Sequence, residues 1–168
     1  MDSSGNIFLI GFMGSGKTYW GKLWAAQSGL QFFDLDELIE AEQQKSVAAI
    51  FEQDGEAFFR QRETAVLKTF SQKANCMIAC GGGTPCFNDN MQWMNENGTT
   101  VYLEATPNDI LKRVITEQEK RPLIKDLSPD ELIVFIKKKL QERAPVYNAA
   151  KIILPVTEIN AATINTLL

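Results

Sequence analysis

The chain has 168 residues, 45% of them hydrophobic and 23% charged, which suits one globular domain of ordinary size and excludes a disordered or fibrous chain. Its formal net charge of -4 argues against a nucleic-acid or membrane-surface protein, which would carry a basic excess. Histidine is absent, so His-dependent catalytic triads are excluded, zinc chemistry is disfavoured, and acid–base work falls to carboxylates, lysines, tyrosines or water.

The first residues, Met1 to Asn6, show no basic stretch leading into a long apolar one, and no apolar run reaches the roughly 18 residues of a membrane helix, so the expected location is the cytoplasm. Ile7 to Ile10 is a short apolar run bounded by turn residues, the pattern of a buried parallel strand. A helix is expected from about Gly16 to Ser28, stopped by Gly29; Trp20 and Trp24, at i,i+4, read as core packing. Gln31 to Phe33 forms a second strand, and 36–43 and 46–54 read as helices with Gly55 as a break. Residues 56–72 form a long amphipathic helix with Phe59, Val66, Leu67 and Phe70 inward. On it, Glu56, Arg60 and Glu63 have the spacing of surface ion pairs, which spacing alone favours.

Cys76 to Ala79 is a third strand running into Gly81-Gly82-Gly83. Cys76, Cys80 and Cys86 are odd in number and fit no disulfide framework; Cys76 and Cys80 read as small core hydrophobes. A fourth strand covers Thr99 to Leu103. Thr106-Pro107 with Asp109 opens a helix, and Ser128-Pro129-Asp130-Glu131 repeats the device as a capping box for a helix burying Leu132, Phe135, Ile136 and Leu140. Lys137 to Lys139 is a solvated face of that helix. The polar segment 117–126 between the two helices is the expected mobile loop. Lys151 to Leu154 is a fifth strand, followed by a closing helix. Strands alternating with helices throughout predict an α/β three-layer sandwich around a parallel sheet.

The stretch Gly11-Phe12-Met13-Gly14-Ser15-Gly16-Lys17-Thr18 fits G-x-x-x-x-G-K-[ST], with a strand before it and a helix after it. Glycines let successive N–H groups turn toward one anion, and the helix N-terminus adds partial positive charge. Lys17 is placed for the β/γ-phosphates and the Thr18 hydroxyl for magnesium. The Asp-x-x-Gly and Asn-Lys-x-Asp motifs of switch GTPases do not occur. Asp34 and Asp36 follow the second strand at the edge where ligands sit in parallel sheets. Spacing alone is equally consistent with an N-cap and a first-turn acid. Three glycines at 81–83 on the same edge allow a ligand close to the main chain. Arg121, in the polar segment, and Arg143, before Ala144-Pro145-Val146-Tyr147, are of the type that clamps transferring phosphate charge.

Taken in order, GFMGSGKT at 11–18, FFDLD at 32–36, GEAFFRQRE at 55–63, GGG at 81–83, RPLI at 121–124 and ERAPVY at 142–147 resemble the shikimate kinases over about residues 5 to 155. The resemblance implies a small kinase of the nucleoside-monophosphate-kinase type: a single P-loop domain over 1–168, a five-stranded parallel sheet and a lid at about 112–126. It implies transfer of the ATP γ-phosphate to the 3-hydroxyl of shikimate, a step of aromatic amino-acid (chorismate) biosynthesis, in a cytoplasmic monomer needing Mg2+ and no nucleic-acid or membrane partner. It places Gly14, Ser15, Gly16, Lys17, Thr18, Tyr19, Arg113 and Arg121 on the nucleotide. Thr18 and Asp34 go to the metal, and Asp36, Arg60, Gly81, Gly82, Gly83 and Arg143 to shikimate. Asp36 is the implied base, with Lys17 and Arg121 assisting transfer. Leu154 to Thr157 departs from the family's short polar adenine turn, and Trp20 and Trp24 stand where smaller aliphatics are usual. A gluconate or nucleoside-monophosphate kinase, and a silent module that merely keeps the P-loop, are the alternatives. The second would be expected to lose Lys17, Asp34, Asp36 or Arg121, and all four are present.

Overall fold

The computed structural model describes residues 5–121 and 123–168. Met1 to Ser4 and Pro122, the second residue of the RPLI stretch, lie outside the described residues. Five strands, β1 (Asn6–Ile10), β2 (Gln31–Asp34), β3 (Cys76–Ala79), β4 (Gly98–Glu104) and β5 (Ile152–Pro155), make one all-parallel sheet in the order β2-β3-β1-β4-β5. Both faces of β1 are buried, and its side chains alternate between two cores. Phe8 and Ile10 pack with Leu35, Phe59, Leu67, Ile110, Leu132 and Ile136 on one side. Ile7 and Leu9 pack with Trp24, Ala25, Ile164 and Leu167 on the other. That two-sided burial is why the strand reads as an unbroken apolar run. The order places β1 between β3 and β4, so the strand order reverses beside it and a crevice opens at the carboxyl ends of these strands.

Among the described residues seven α-helices connect the strands: α1 (Lys17–Ser28), α2 (Leu35–Gln43), α3 (Val47–Gln53), α4 (Glu56–Lys68), α5 (Asn90–Asn97), α6 (Pro107–Val114) and α7 (Pro129–Tyr147). The start signals hold in detail. Ser46 caps α3, and α6 and α7 each open with a complete capping box, from Thr106 with Asp109 and from Ser128 with Glu131. Gly29 ends α1 in a left-handed conformation.

Three elements differ from expectation. The helix from Glu56 ends at Lys68 and tightens into a 3-10 turn at Thr69–Gln72. The closing helix is also 3-10, at Ala161–Thr166. α5 was not foreseen: its residues, NMQWMNEN, include three asparagines, which are weak helix formers, and Asp89 supplies no capping side chain. Packing supplies what propensity lacks, with Met91 and Met94 buried and Trp93 set edge-on against Phe8 at 5.9 Å. Trp24 is fully buried and stacks on the partly buried Trp20 at 5.4 Å, as core packing requires. Cys76 and Cys80 are buried and free, as expected, and Lys137 and Lys138 are exposed. Among the described residues no helix is long and apolar enough to cross a membrane.

Candidate active site

The loop between β1 and α1 is built around glycines in conformations a Cβ would strain. Gly16 caps α1 at φ 95°, and a Cβ there would come within 2.8 Å of the Arg113 guanidinium. Lys17, the first residue of the helix, folds back over the loop, its Nζ donating to Gly11 O at 2.7 Å and Phe12 O at 3.0 Å. Burial first, then the positive charge of Arg121, lowers its pKa to about 8. Arg113 reaches from α6 to donate to Gly14 O at 3.3 Å.

A cavity of about 680 Å3 lies over this loop, and Gly14, Gly16, Lys17, Thr18, Tyr19, Arg113 and Arg121 all line it. Ser15 does not: its side chain is fully buried beneath the loop and its N–H donates to Phe12 O. The Thr18 hydroxyl donates to Asp34 Oδ2 at 3.0 Å. The other oxygen of Asp34 accepts from the N–H groups of Asp36 and Glu37. The N-cap that spacing allowed is thus present on one carboxylate oxygen, while the other faces the Thr18 hydroxyl.

A second cavity, of about 210 Å3, adjoins the first and is lined by Asp36, Arg60, Gly81, Gly82, Gly83 and Arg143. Here the expected surface ion pair on α4 needs correction. The pairing is present, but Arg60 is only 9% exposed and Glu63 is fully buried. Arg60 Nη1 donates to Glu63 Oε1 at 2.9 Å, and Glu63 Oε2 accepts from the Thr84 hydroxyl at 2.7 Å. The guanidinium lies on the Phe87 ring, 4.1 Å from its centroid. Spacing within α4 cannot reveal this, because the burying residues come from the turn after β3.

Gly83 shows what the glycines at 81–83 are for: a Cβ there would stand 2.6 Å from Arg60 Nη2. Arg143 extends from α7 over the Phe12 ring at 5.4 Å. One helical turn further on, past Pro145 within the same helix, the buried Tyr147 donates its hydroxyl to Gly82 O at 2.5 Å.

Met13, Asp36, Gly81, Gly82 and Arg121 line both cavities and so form their common wall. Asp36 Oδ1 is buried there with no hydrogen-bond partner among the described residues. Burial, reinforced by the negative charges of Asp34 and Glu63, pushes its pKa up to about 7. Arg121 pairs with Glu117 at 3.2 Å, while its Nε is buried without a partner among the described residues. An unpartnered carboxylate and an unpartnered guanidinium nitrogen thus sit between an anion cradle and an arginine-lined pocket. Such an arrangement can move a phosphoryl group from the first cavity to a hydroxyl held in the second.

Sequence reasoning did not find Met13, Val47, Ala48, Phe51, Phe59, Glu63, Lys120 or Leu123 as lining of the second cavity. Val47, Ala48 and Phe51 lie on a short helix whose apolar residues carry no signal separating pocket from core. Glu63 had one, its i,i+3 spacing from Arg60, but no sign of depth.

A family model described as shikimate kinase matches residues 13–167. The chain is 43% identical to the shikimate kinase of Parabacteroides distasonis over 146 residues, covering 87% of this chain and 84% of that one. It is 46% identical to the shikimate kinase of Azobacteroides pseudotrichonymphae over 148 residues, with 88% and 87% covered. Among solved structures, the crystal structure of shikimate kinase from Bacteroides thetaiotaomicron superposes with a TM-score of 0.88 at 38% identity, over 97% of this chain and 93% of that one. Shikimate kinase from Acinetobacter baumannii in complex with shikimate gives a TM-score of 0.85 at 31% identity, over 97% and 90%.

Proposed function

The chain belongs to the shikimate kinase family, and we propose that it transfers the γ-phosphoryl group of ATP to the 3-hydroxyl of shikimate, giving shikimate 3-phosphate on the route to chorismate. The observation that carries the residue assignments is the common wall of the two cavities, where Asp36 and Arg121 face both. The triphosphate lies in the P-loop cavity, held by main-chain N–H groups and the N-terminus of α1. Lys17 exchanges its bonds to Gly11 O and Phe12 O for β- and γ-phosphate oxygens.

Thr18 and Asp34 offer two hard oxygens 3.0 Å apart. That set suits Mg2+, which keeps several waters, takes phosphate oxygens and needs no all-protein cage. Bound there, the ion supplies neutralisation of charge developing between the β- and γ-oxygens.

In the second cavity, Arg60 and Arg143 hold the carboxylate of shikimate, and the Gly82 and Gly83 main chain and Asp36 hold its hydroxyls. Asp36 Oδ1 accepts the hydrogen bond of the 3-hydroxyl and aims its oxygen at the γ-phosphorus. A P–O bond forms to that oxygen, the bond to the β,γ-bridging oxygen breaks, and the hydroxyl proton passes to Asp36. The segment 112–126 acts as a lid that brings Arg121 onto the transferring charge. We expect a cytoplasmic, monomeric, single-domain enzyme with no nucleic-acid or membrane partner, in keeping with its net charge of -4.

Coupled measurement of ADP release tests the reading, with shikimate, gluconate and nucleoside monophosphates as separate acceptors. Turnover is expected with shikimate and at background level with the rest. Equal or faster turnover with gluconate or a nucleoside monophosphate overturns it.

A further inference from the structure

The guanidinium of Arg60 is hemmed in on most sides. Phe87 covers one face, and the Gly83 main chain presses against the Nη1/Nη2 end, where a Cβ would come within 2.8 Å of one nitrogen and 2.6 Å of the other. Glu63 holds Nη1 at 2.9 Å. What remains for a forked, two-point contact with a carboxylate is the Nε/Nη2 edge. That edge is already taken. Glu56 Oε1 spans it, 3.4 Å from Nε and 3.3 Å from Nη2.

The two glutamates differ in kind. Glu63 has no exposed surface, and its second oxygen is tied to Thr84, so it is a fixed counter-charge. Glu56 is the first residue of α4, its side chain is 53% exposed, and it meets Arg60 through one oxygen at long distance. A pair made through one oxygen at long distance, with one partner half-exposed, is weak and easily exchanged. Arg60 with both glutamates also carries a net negative charge, which would repel an incoming anion.

We propose that Glu56 is a placeholder carboxylate: it occupies the Nε/Nη2 edge of Arg60 while the acceptor site is empty, and the carboxylate of the acceptor displaces it. The inference rests on the assignment of Arg60 to the acceptor carboxylate and adds the residue that competes for it. The exchange keeps the buried guanidinium oriented and partnered when no acceptor is present. Its cost is a lowered apparent affinity for any carboxylate ligand.

Titration calorimetry of the full chain and of Glu56→Gln, with shikimate and with shikimate methyl ester, tests this. Glu56→Gln is expected to bind shikimate roughly two- to fivefold more tightly, the range of a weak ion pair removed from competition. The methyl ester, which has no anion to exchange, is expected to bind both proteins alike. Unchanged or weaker shikimate binding by Glu56→Gln overturns the proposal and makes Glu56 a plain helix ion pair or a direct acceptor ligand. Tighter binding of the methyl ester as well overturns it in favour of a general loosening of α4. No shikimate binding by the unaltered chain removes the assignment of the acceptor site itself, a different failure.

Discussion

Thr18 and Asp34 meet in the lining of the cavity over the P-loop, the hydroxyl donating to Asp34 Oδ2 at 3.0 Å while Asp34 Oδ1 caps α2. Asn is as good an N-cap as Asp, so Asp34→Asn preserves the helix start and removes charge from the oxygen facing Thr18. The variant is expected to melt within a few degrees of the parent and to need a several-fold higher magnesium concentration for half-maximal rate. Excess EDTA should abolish turnover in both proteins. An unchanged magnesium requirement would remove Asp34 from the metal site.

Asp36 differs in having an oxygen with no hydrogen-bond partner among the described residues. Asp36→Asn keeps its size and one acceptor, and is expected to lower kcat/KM for shikimate by about 10²-fold, within the range of a general base, with ATP affinity nearly intact. If Asp36→Asn and Asp34→Asn instead share one magnesium-dependent defect with normal shikimate binding, the two carboxylates form a single metal site.

The raised pKa of Asp36 also makes a stability claim. With a value of about 7 in the fold against 3.8 for the free side chain, the native state binds more protons than the unfolded state between those limits. Stability is therefore lost as pH rises from about 4 to 7. Asp36→Asn should be more stable than the parent at pH 8, by on the order of 1–4 kcal/mol, with the difference vanishing near pH 4. Denaturant titrations at the two pH values give the answer, and an equal difference at both would show that the carboxyl is not held protonated.

Arg60→Ala should weaken shikimate binding by about 30- to 4,000-fold, the cost of roughly 2–5 kcal/mol for losing a buried partner of a carboxylate, and leave ATP binding alone. It also strands Glu63 as a buried charge, so a lower Tm is expected. Arg60→Lys separates the two effects, since it keeps the charge and loses the two-point contact. Its calorimetric affinity for shikimate should still fall by at least tenfold. Unchanged shikimate affinity in both variants, with reduced ATP affinity, would make Arg60 a nucleotide residue.

Arg121→Ala should lower kcat more than it raises the KM for ATP. The side chain is paired with Glu117 and would meet the phosphates on lid closure, so its contribution falls on the transition state. Wild-type kcat with only a raised KM would mean uniform binding instead.

Tyr147→Phe removes the hydroxyl on Gly82 O and leaves a partly exposed carbonyl short of a donor, at about 0.5–1.5 kcal/mol of stability. Gly82 is in the wall shared by both cavities, but Tyr147 stands on the helix that carries Arg143 of the second, so the KM for shikimate should rise several-fold and the KM for ATP less. Equal effects on both would mark the contact as purely structural.

The P-loop, the capping boxes at Thr106 and Ser128, the buried parallel strands and the alternation of strand and helix were legible in the residues alone, and so was the family. These features are local: a cap needs three neighbours, a P-loop eight, and a strand buried on both faces shows itself as an apolar run. The helix at Asn90–Asn97 was not legible, because its stability comes from Met91, Met94 and Trp93 packing against distant strands rather than from its own propensities. Nor was the depth of Arg60 and Glu63. Their i,i+3 spacing reads identically on a wet surface and in a pocket, and Gly83, Thr84 and Phe87, brought over from the end of β3, turn a surface pair into a buried one. The same holds for Asp34 and Asp36, two residues apart. Spacing could not say which faces Thr18 and which the wall between the cavities, since that depends on how the first turn of α2 sits over the P-loop; the family resemblance alone divided them.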